Sequence, residues 1–107
     1  MRRLWDLAHA RAGDKGSDSI LVLRPYAVAD FAELVSAVTA ARVATHFRVP
    51  PEAVTITAVP GLSALTVVVR GALAGGVTRS GRIDPHGKTL SGHLLDLRVP
   101  WRGADQA

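Results

Sequence analysis

Apolar and polar positions alternate most clearly in the middle and at the end of the chain. Val54, Ile56 and Ala58 alternate with Thr55 and Thr57, which predicts a strand with one buried face. Pro60-Gly61 then supplies a turn, and Leu65 to Arg70 the partner strand. Leu95, Leu97, Val99 and Trp101 alternate again and predict a last strand. Near the N-terminus, Leu4 to Ala8 read as a short strand with Trp5, Leu7 and His9 on one face, and Ser19 to Arg24 as a second, more apolar one. Between Ala27 and Phe47 the period becomes helical. Phe31, Leu34, Val35 and Val38 form one stripe, and Ala40, Val43, Ala44 and Phe47 a second of different phase. Thr39 stands at the change of phase with a side chain suited to capping a helix, so the region predicts two helices, or one broken near Thr39. Pro50-Pro51 ends it, because neither proline can continue a helix. Lys88 to Leu94 predicts a short helix, with Leu90 and Leu94 four apart and Gly92 between them.

The predicted order is ββαββαβ, with no internal repeat and no low-complexity segment. Hairpins separated by helices point to an α+β fold with an antiparallel sheet and helices on one face. The inner βαββαβ portion has the order of a ferredoxin-like split βαβ unit, with the first strand as an addition. The 107 residues suffice for one core, so residues 1–107 are expected to form a single domain with its core at about 4–100. A sheet covered on one side leaves its other face open. Trp5 or Trp101 on that face would favour self-association.

Two stretches follow neither period. Arg11-Ala-Gly-Asp-Lys-Gly-Ser17 reads as a turn between strands, with two glycines bracketing an Asp–Lys pair. Gly71-Ala-Leu-Ala-Gly-Gly-Val-Thr-Arg-Ser-Gly-Arg82 has too many glycines for a regular element and is long for a connection. The first stretch, with His9 before it, gathers an imidazole, a guanidinium, a carboxylate, an ammonium and a hydroxyl within nine residues. It could hold an anion between backbone amides and Arg11 or Lys15, with Asp14 as a base or as the group that orients Lys15. The bland alternative is a solvated turn with ordinary surface charges. The second stretch has a phosphate-cradle composition, with Arg70, Arg79 and Arg82 around it, but matches neither GxxxxGK[ST] nor GxGxxG. A flexible edge loop is its bland alternative.

Composition removes several classes of chemistry. Cysteine is absent, which excludes disulfides, thiolate nucleophiles and cysteine-based metal sites. His9, His46, His86 and His93 lack the paired spacing of metal sites, and no metal or cofactor is implied. Thr78-Arg-Ser-Gly-Arg82 is not the GxSxG of a nucleophilic serine. The net charge of +4 raises an anionic partner, yet the arginines are dispersed, without the basic stripe and interleaved aromatics of a nucleic-acid surface. No stretch approaches the length of a membrane span and no leader pattern follows the basic N-terminus, so the cytoplasm is the expected location.

Several strings together carry a resemblance. They are Ala8-His-Ala-Arg-Ala-Gly-Asp-Lys-Gly-Ser17, Thr39-Ala-Ala-Arg-Val-Ala-Thr-His-Phe47, Pro60-Gly-Leu-Ser-Ala-Leu65, Gly71-Ala-Leu-Ala-Gly-Gly-Val-Thr-Arg-Ser80 and Asp84-Pro-His-Gly-Lys88. In this order they resemble the ferredoxin-fold domain at the C-terminus of AtuA-type acyclic terpene utilisation proteins, from about Leu4 to Val99. Arg11, Asp14, Lys15 and the bracketing glycines match the family's first loop, while Ala12 and Ser17 replace its serine and asparagine. Gly75, Gly76, Arg79 and Ser80 match the second, where Ala74 breaks the usual run of three glycines.

The resemblance implies catabolism of acyclic terpenoids through acyl-CoA intermediates. It also implies a partner supplied in trans, because an AtuA-like N-terminal domain does not accompany this one. The leading expectation is therefore an accessory subunit, in a homo- or hetero-oligomer, that adds both loops to a shared acyl-CoA or carboxylate site. Arg11, Lys15, Arg79 and Arg82 would bind the anion, Ser17 and Ser80 would line the site, Gly75 and Gly76 would admit the backbone, and Asp14 would handle a proton or orient Lys15. The alternatives are a self-sufficient homo-oligomeric lyase or hydratase using Asp14 and Lys15, and a binding module without catalysis.

Overall fold

A computed structural model describes residues 1–15, 18–71 and 88–102, with only the backbone of Asp14, Lys15, Lys88 and Thr89. Among these residues six strands and three α-helices follow in order: β1 (Arg2–Arg3), β2 (Ala8–Lys15), β3 (Asp18–Pro25), α1 (Phe31–Ala37), α2 (Ala40–Phe47), β4 (Val54–Val59), β5 (Ala64–Val69), α3 (Lys88–Leu95) and β6 (Arg98–Val99). Strands β2-β3-β5-β4 form an antiparallel sheet, and β1-β6 a separate two-stranded one. Mixed helix and antiparallel sheet make this an α+β fold, as the pattern predicts.

The registers explain the one-sided core. Ser19, Leu21 and Leu23 of β3 and Leu65, Val67 and Val69 of β5 are buried, whereas the intervening Ile20, Val22, Thr66 and Val68 are half-buried on the opposite face. The buried face meets Leu34 of α1, Val43, Ala44 and Phe47 of α2, and Leu90 and Leu94 of α3. Each large apolar side chain buried this way contributes about 1.5–3 kcal/mol against exposure. The break between α1 and α2 falls at Thr39, whose Oγ1 accepts the Arg42 backbone N–H at 3.2 Å as an N-cap. Arg48, in the left-handed region at φ 61°, closes α2.

Two sequence expectations change, and the pairing of the last strand completes the layout. Leu4–Asp6 form a 3-10 turn instead of a strand, with the Leu7 N–H donating to the Leu4 carbonyl at 3.0 Å. Leu4 and Leu7 are thus both buried three residues apart, a helical spacing that a strand could not supply. The last strand shrinks to Arg98–Val99, because Leu95 completes α3 and Pro100 follows with no N–H to donate. Leu95, Leu97, Val99 and Trp101 are nevertheless all buried, so their alternation reports burial but not an extended chain. Finally, β6 pairs with β1, and the position beside β3 is filled by β2, whose eight-residue hairpin with β3 is local in sequence.

The tryptophans do not lie on the open face of the sheet. Trp101 is in the core cluster, and Trp5, 43% exposed, donates its Nε1–H to Asp96 at the end of α3 at 2.9 Å. Neither ring is therefore placed to drive self-association through the open face.

Candidate functional site

The first motif is mostly strand. Arg11 to Lys15, expected in a loop, continue β2 in unbroken register: Arg11 opposite Val22, Gly13 opposite Ile20, Asp14 opposite Ser19 and Lys15 opposite Asp18. The pairing of Lys15 with Asp18 leaves two residues of sequence between the strands, a length that hairpins favour. Alternation overrides turn propensity here, because Ala8, Ala10 and Ala12 share the face that packs on the core while His9 and Arg11 are exposed. Arg11 therefore stands on the face away from the helices. His9 on the same face stacks on Tyr26, with ring centroids 5.7 Å apart.

Strand β5 ends beside this hairpin. Val69 pairs with Ser19, and the next turn brings Gly71 to Asp18, whose Oδ1 accepts the Gly71 N–H at 2.9 Å. Gly71 has φ +75°, a conformation that glycine adopts without the steric cost a Cβ would add. One hydrogen bond thus ties the residue that follows the first motif stretch to the first residue of the second. Asp18 falls between the first motif string and the strand read from Ser19, and belongs to neither. Its position directly after the Gly-Asp-Lys-Gly-Ser string was the available signal.

Ser19 is the second residue missed. It occupies an inward position in line with Leu21 and Leu23, is fully buried, and its Oγ has no partner among the described residues. An unsatisfied buried hydroxyl costs about 1–3 kcal/mol. Ser17, Gly75, Gly76, Arg79, Ser80 and Arg82 lie outside the described residues, as do the side chains of Asp14 and Lys15. Arg70, expected around the second loop, is instead engaged structurally: its guanidinium donates to Thr55 Oγ1 at 2.8 Å and to the Glu52 carbonyl.

The fold also joins two histidines that sequence spacing leaves apart. His46 of α2 and His93 of α3 stack with centroids 4.2 Å apart and planes 18° from parallel. His46 Nε2 lies 2.6 Å from the His93 carbonyl, and His93 Nε2 lies 3.2 Å from the His46 carbonyl. A carbonyl only accepts, so each Nε2 carries a hydrogen in this arrangement. Burial lowers the His46 pKa below its ordinary value and nearby His93 adds to the lowering, against the opposing backbone hydrogen bond to His93 and the Asp96 carboxylate. Asp96 is held below the usual carboxylate range by hydrogen bonds from Arg3 and Trp5. Among the described residues no group of three or more His, Asp or Glu could hold a metal ion. No described helix is long and apolar enough to cross a membrane.

Comparison with curated proteins and with solved structures finds no match. The family model of the AtuA ferredoxin-like domain matches residues 2–100, spanning both motif stretches and all six strands. This chain belongs to the AtuA ferredoxin-like domain family.

Proposed function

We propose that the chain is a partner subunit of an AtuA-like protein in acyclic terpenoid catabolism through acyl-CoA intermediates, and that it contributes an anion-binding pair of segments to a shared site. The observation that supports this reading is the Asp18–Gly71 hydrogen bond, which links the residue after the first segment to the first residue of the second at one end of the sheet. Residues from both can then serve one ligand. Arg11, Lys15, Arg79 and Arg82 hold its anionic group, for which guanidinium and ammonium donors provide charge-assisted bonds. Gly75 and Gly76 allow close backbone approach, Ser17 and Ser80 add hydroxyls, and Asp14 orients Lys15 or handles a proton.

The test is co-expression with an AtuA-like N-terminal-domain protein, followed by size-exclusion chromatography with light scattering and by thermal shift with acyl-CoA. A stable hetero-complex is expected, with acyl-CoA raising its melting temperature. Lys15→Ala is expected to weaken acyl-CoA binding by about ten-fold, the worth of one charge-assisted contact. The reading is refuted if no complex forms and acyl-CoA leaves the melting temperature unchanged, or if Lys15→Ala binds like the parent chain.

A further inference from the structure

A second polar region lies where α2 meets the junction of α3 and β6. An open groove of about 590 Å³ is bounded there by Arg42, Thr45 and His46 from α2 and by Asp96, Leu97 and Arg98 from the other side. Small-molecule sites commonly enclose about 300–1,000 Å³. The exposed Met1 and Ala41 supply most of its apolar surface, and the largely buried Leu97 the rest.

The charges in and beside the groove are unbalanced. Arg3 and Arg98 stand directly opposite each other across β1 and β6, an arrangement of like charges that costs stability. Asp96 is the only carboxylate bounding the groove among the described residues. Its Oδ1 already accepts from Arg3 at 2.7 Å and from Trp5 Nε1 at 2.9 Å. Arg98 has no partner among the described residues, and Arg42 spends one nitrogen on the Ala37 carbonyl at 3.1 Å, leaving the rest of its fork uncommitted. His46, its Nε2 fixed on His93, adds an aromatic wall.

From this we infer that the groove binds a small organic carboxylate with an apolar body, its carboxylate held by Arg98 and Arg42 and its body lying over Leu97, Ala41 and the His46 ring. The guanidinium fork suits a carboxylate because it can donate two parallel hydrogen bonds. The apolar surface distinguishes such a ligand from a bare inorganic anion.

The experiment is an NMR titration of the full chain with hexanoate, using hexanol and inorganic phosphate as controls. Hexanoate is expected to shift the His46 ring signals and the Leu97 and Arg98 amides saturably, with hexanol and phosphate each binding at least about five-fold more weakly. Arg98→Gln, at an exposed position, is expected to weaken hexanoate at least about five-fold with its amide spectrum otherwise intact. Ala41→Asp, also exposed, places a carboxylate in the groove and is expected to abolish binding whether or not Arg98 tolerates replacement. The inference is overturned if the groove signals stay unmoved at millimolar hexanoate, if hexanol or phosphate binds equally well, or if Ala41→Asp binds like the parent chain. Shifts centred on Asp18 and Gly71 instead would also overturn it, and would leave the proposed function standing.

Discussion

Asp18→Ala is the most direct probe of the tie between the two motif stretches. The carboxylate is half-buried, and its Oδ1 accepts the Gly71 N–H at 2.9 Å. A hydrogen bond to a charged group is worth about 1.5–3 kcal/mol when well shielded, and partial exposure brings the expected loss to about 1–2 kcal/mol. For a domain of this size that corresponds to a fall of about 5–15 °C in melting temperature. Asp18→Asn keeps an oxygen acceptor at the same reach and should lose less than about 1 kcal/mol. Equilibrium urea unfolding of the parent and both variants gives the comparison, with similar m-values confirming that only stability has changed. The functional readout is the affinity for acyl-CoA in the complex with the AtuA-like partner. Asp18→Ala should lower it, since the relative placement of the two segments is no longer fixed. If Asp18→Ala matches the parent within about 0.3 kcal/mol and binds as well, the bond contributes nothing and the reasoning fails. If Asp18→Asn is as damaging as Asp18→Ala, charge and not the hydrogen bond is the cause.

Two further outcomes test the helical layer. Thr39→Ala removes the oxygen that caps α2 at Arg42 and should cost about 1 kcal/mol in urea unfolding, while Thr39→Ser should cost only a small part of that. The lowered His46 pKa means that the unfolded chain binds a proton more readily than the folded one below the ordinary value of 6.5. Its contribution to stability is therefore complete above pH 6.5 and is lost as pH falls through that value toward the lower folded pKa. Unfolding curves at a series of pH values should show this decline, and it should flatten in His46→Gln; an unchanged profile in the variant would assign the decline to other groups.

Most of the fold is legible from periodicity because each element had to bury one face. The phase change at Thr39, the β4–β5 hairpin and the helix at Leu90 and Leu94 all follow from spacing that packing then uses. The failures share a cause: local composition competes with tertiary demand. Gly13, Asp14 and Lys15 have turn-like chemistry, yet pairing with β3 keeps them extended. Leu97, Val99 and Trp101 alternate like a strand, yet only two residues find a partner strand, β1, since β2 holds the place beside β3. The candidate site was legible as strings of residues but not as an arrangement. Nothing in the spacing of Asp18 and Gly71, 53 residues apart, reveals their bond, and the same holds for His46 and His93, 47 apart.

The two polar regions sit at opposite ends of β2, and this makes them separable. The Leu4 N–H donates to the Leu97 carbonyl at 3.0 Å, so the Arg98 groove is linked to the start of β2 through the 3-10 turn. The Asp18–Gly71 tie lies beyond its other end, at Lys15. Eight extended residues span about 25 Å, well past the range of about 10 Å over which substitutions couple through shared partners. Arg98→Gln should therefore leave acyl-CoA binding to the hairpin end unchanged, and Asp18→Ala should leave hexanoate binding to the groove unchanged. The double variant should show the sum of the two single losses within about 0.5 kcal/mol. A larger departure would mean that the sheet transmits strain between its ends, and the two regions would then have to be treated as one site.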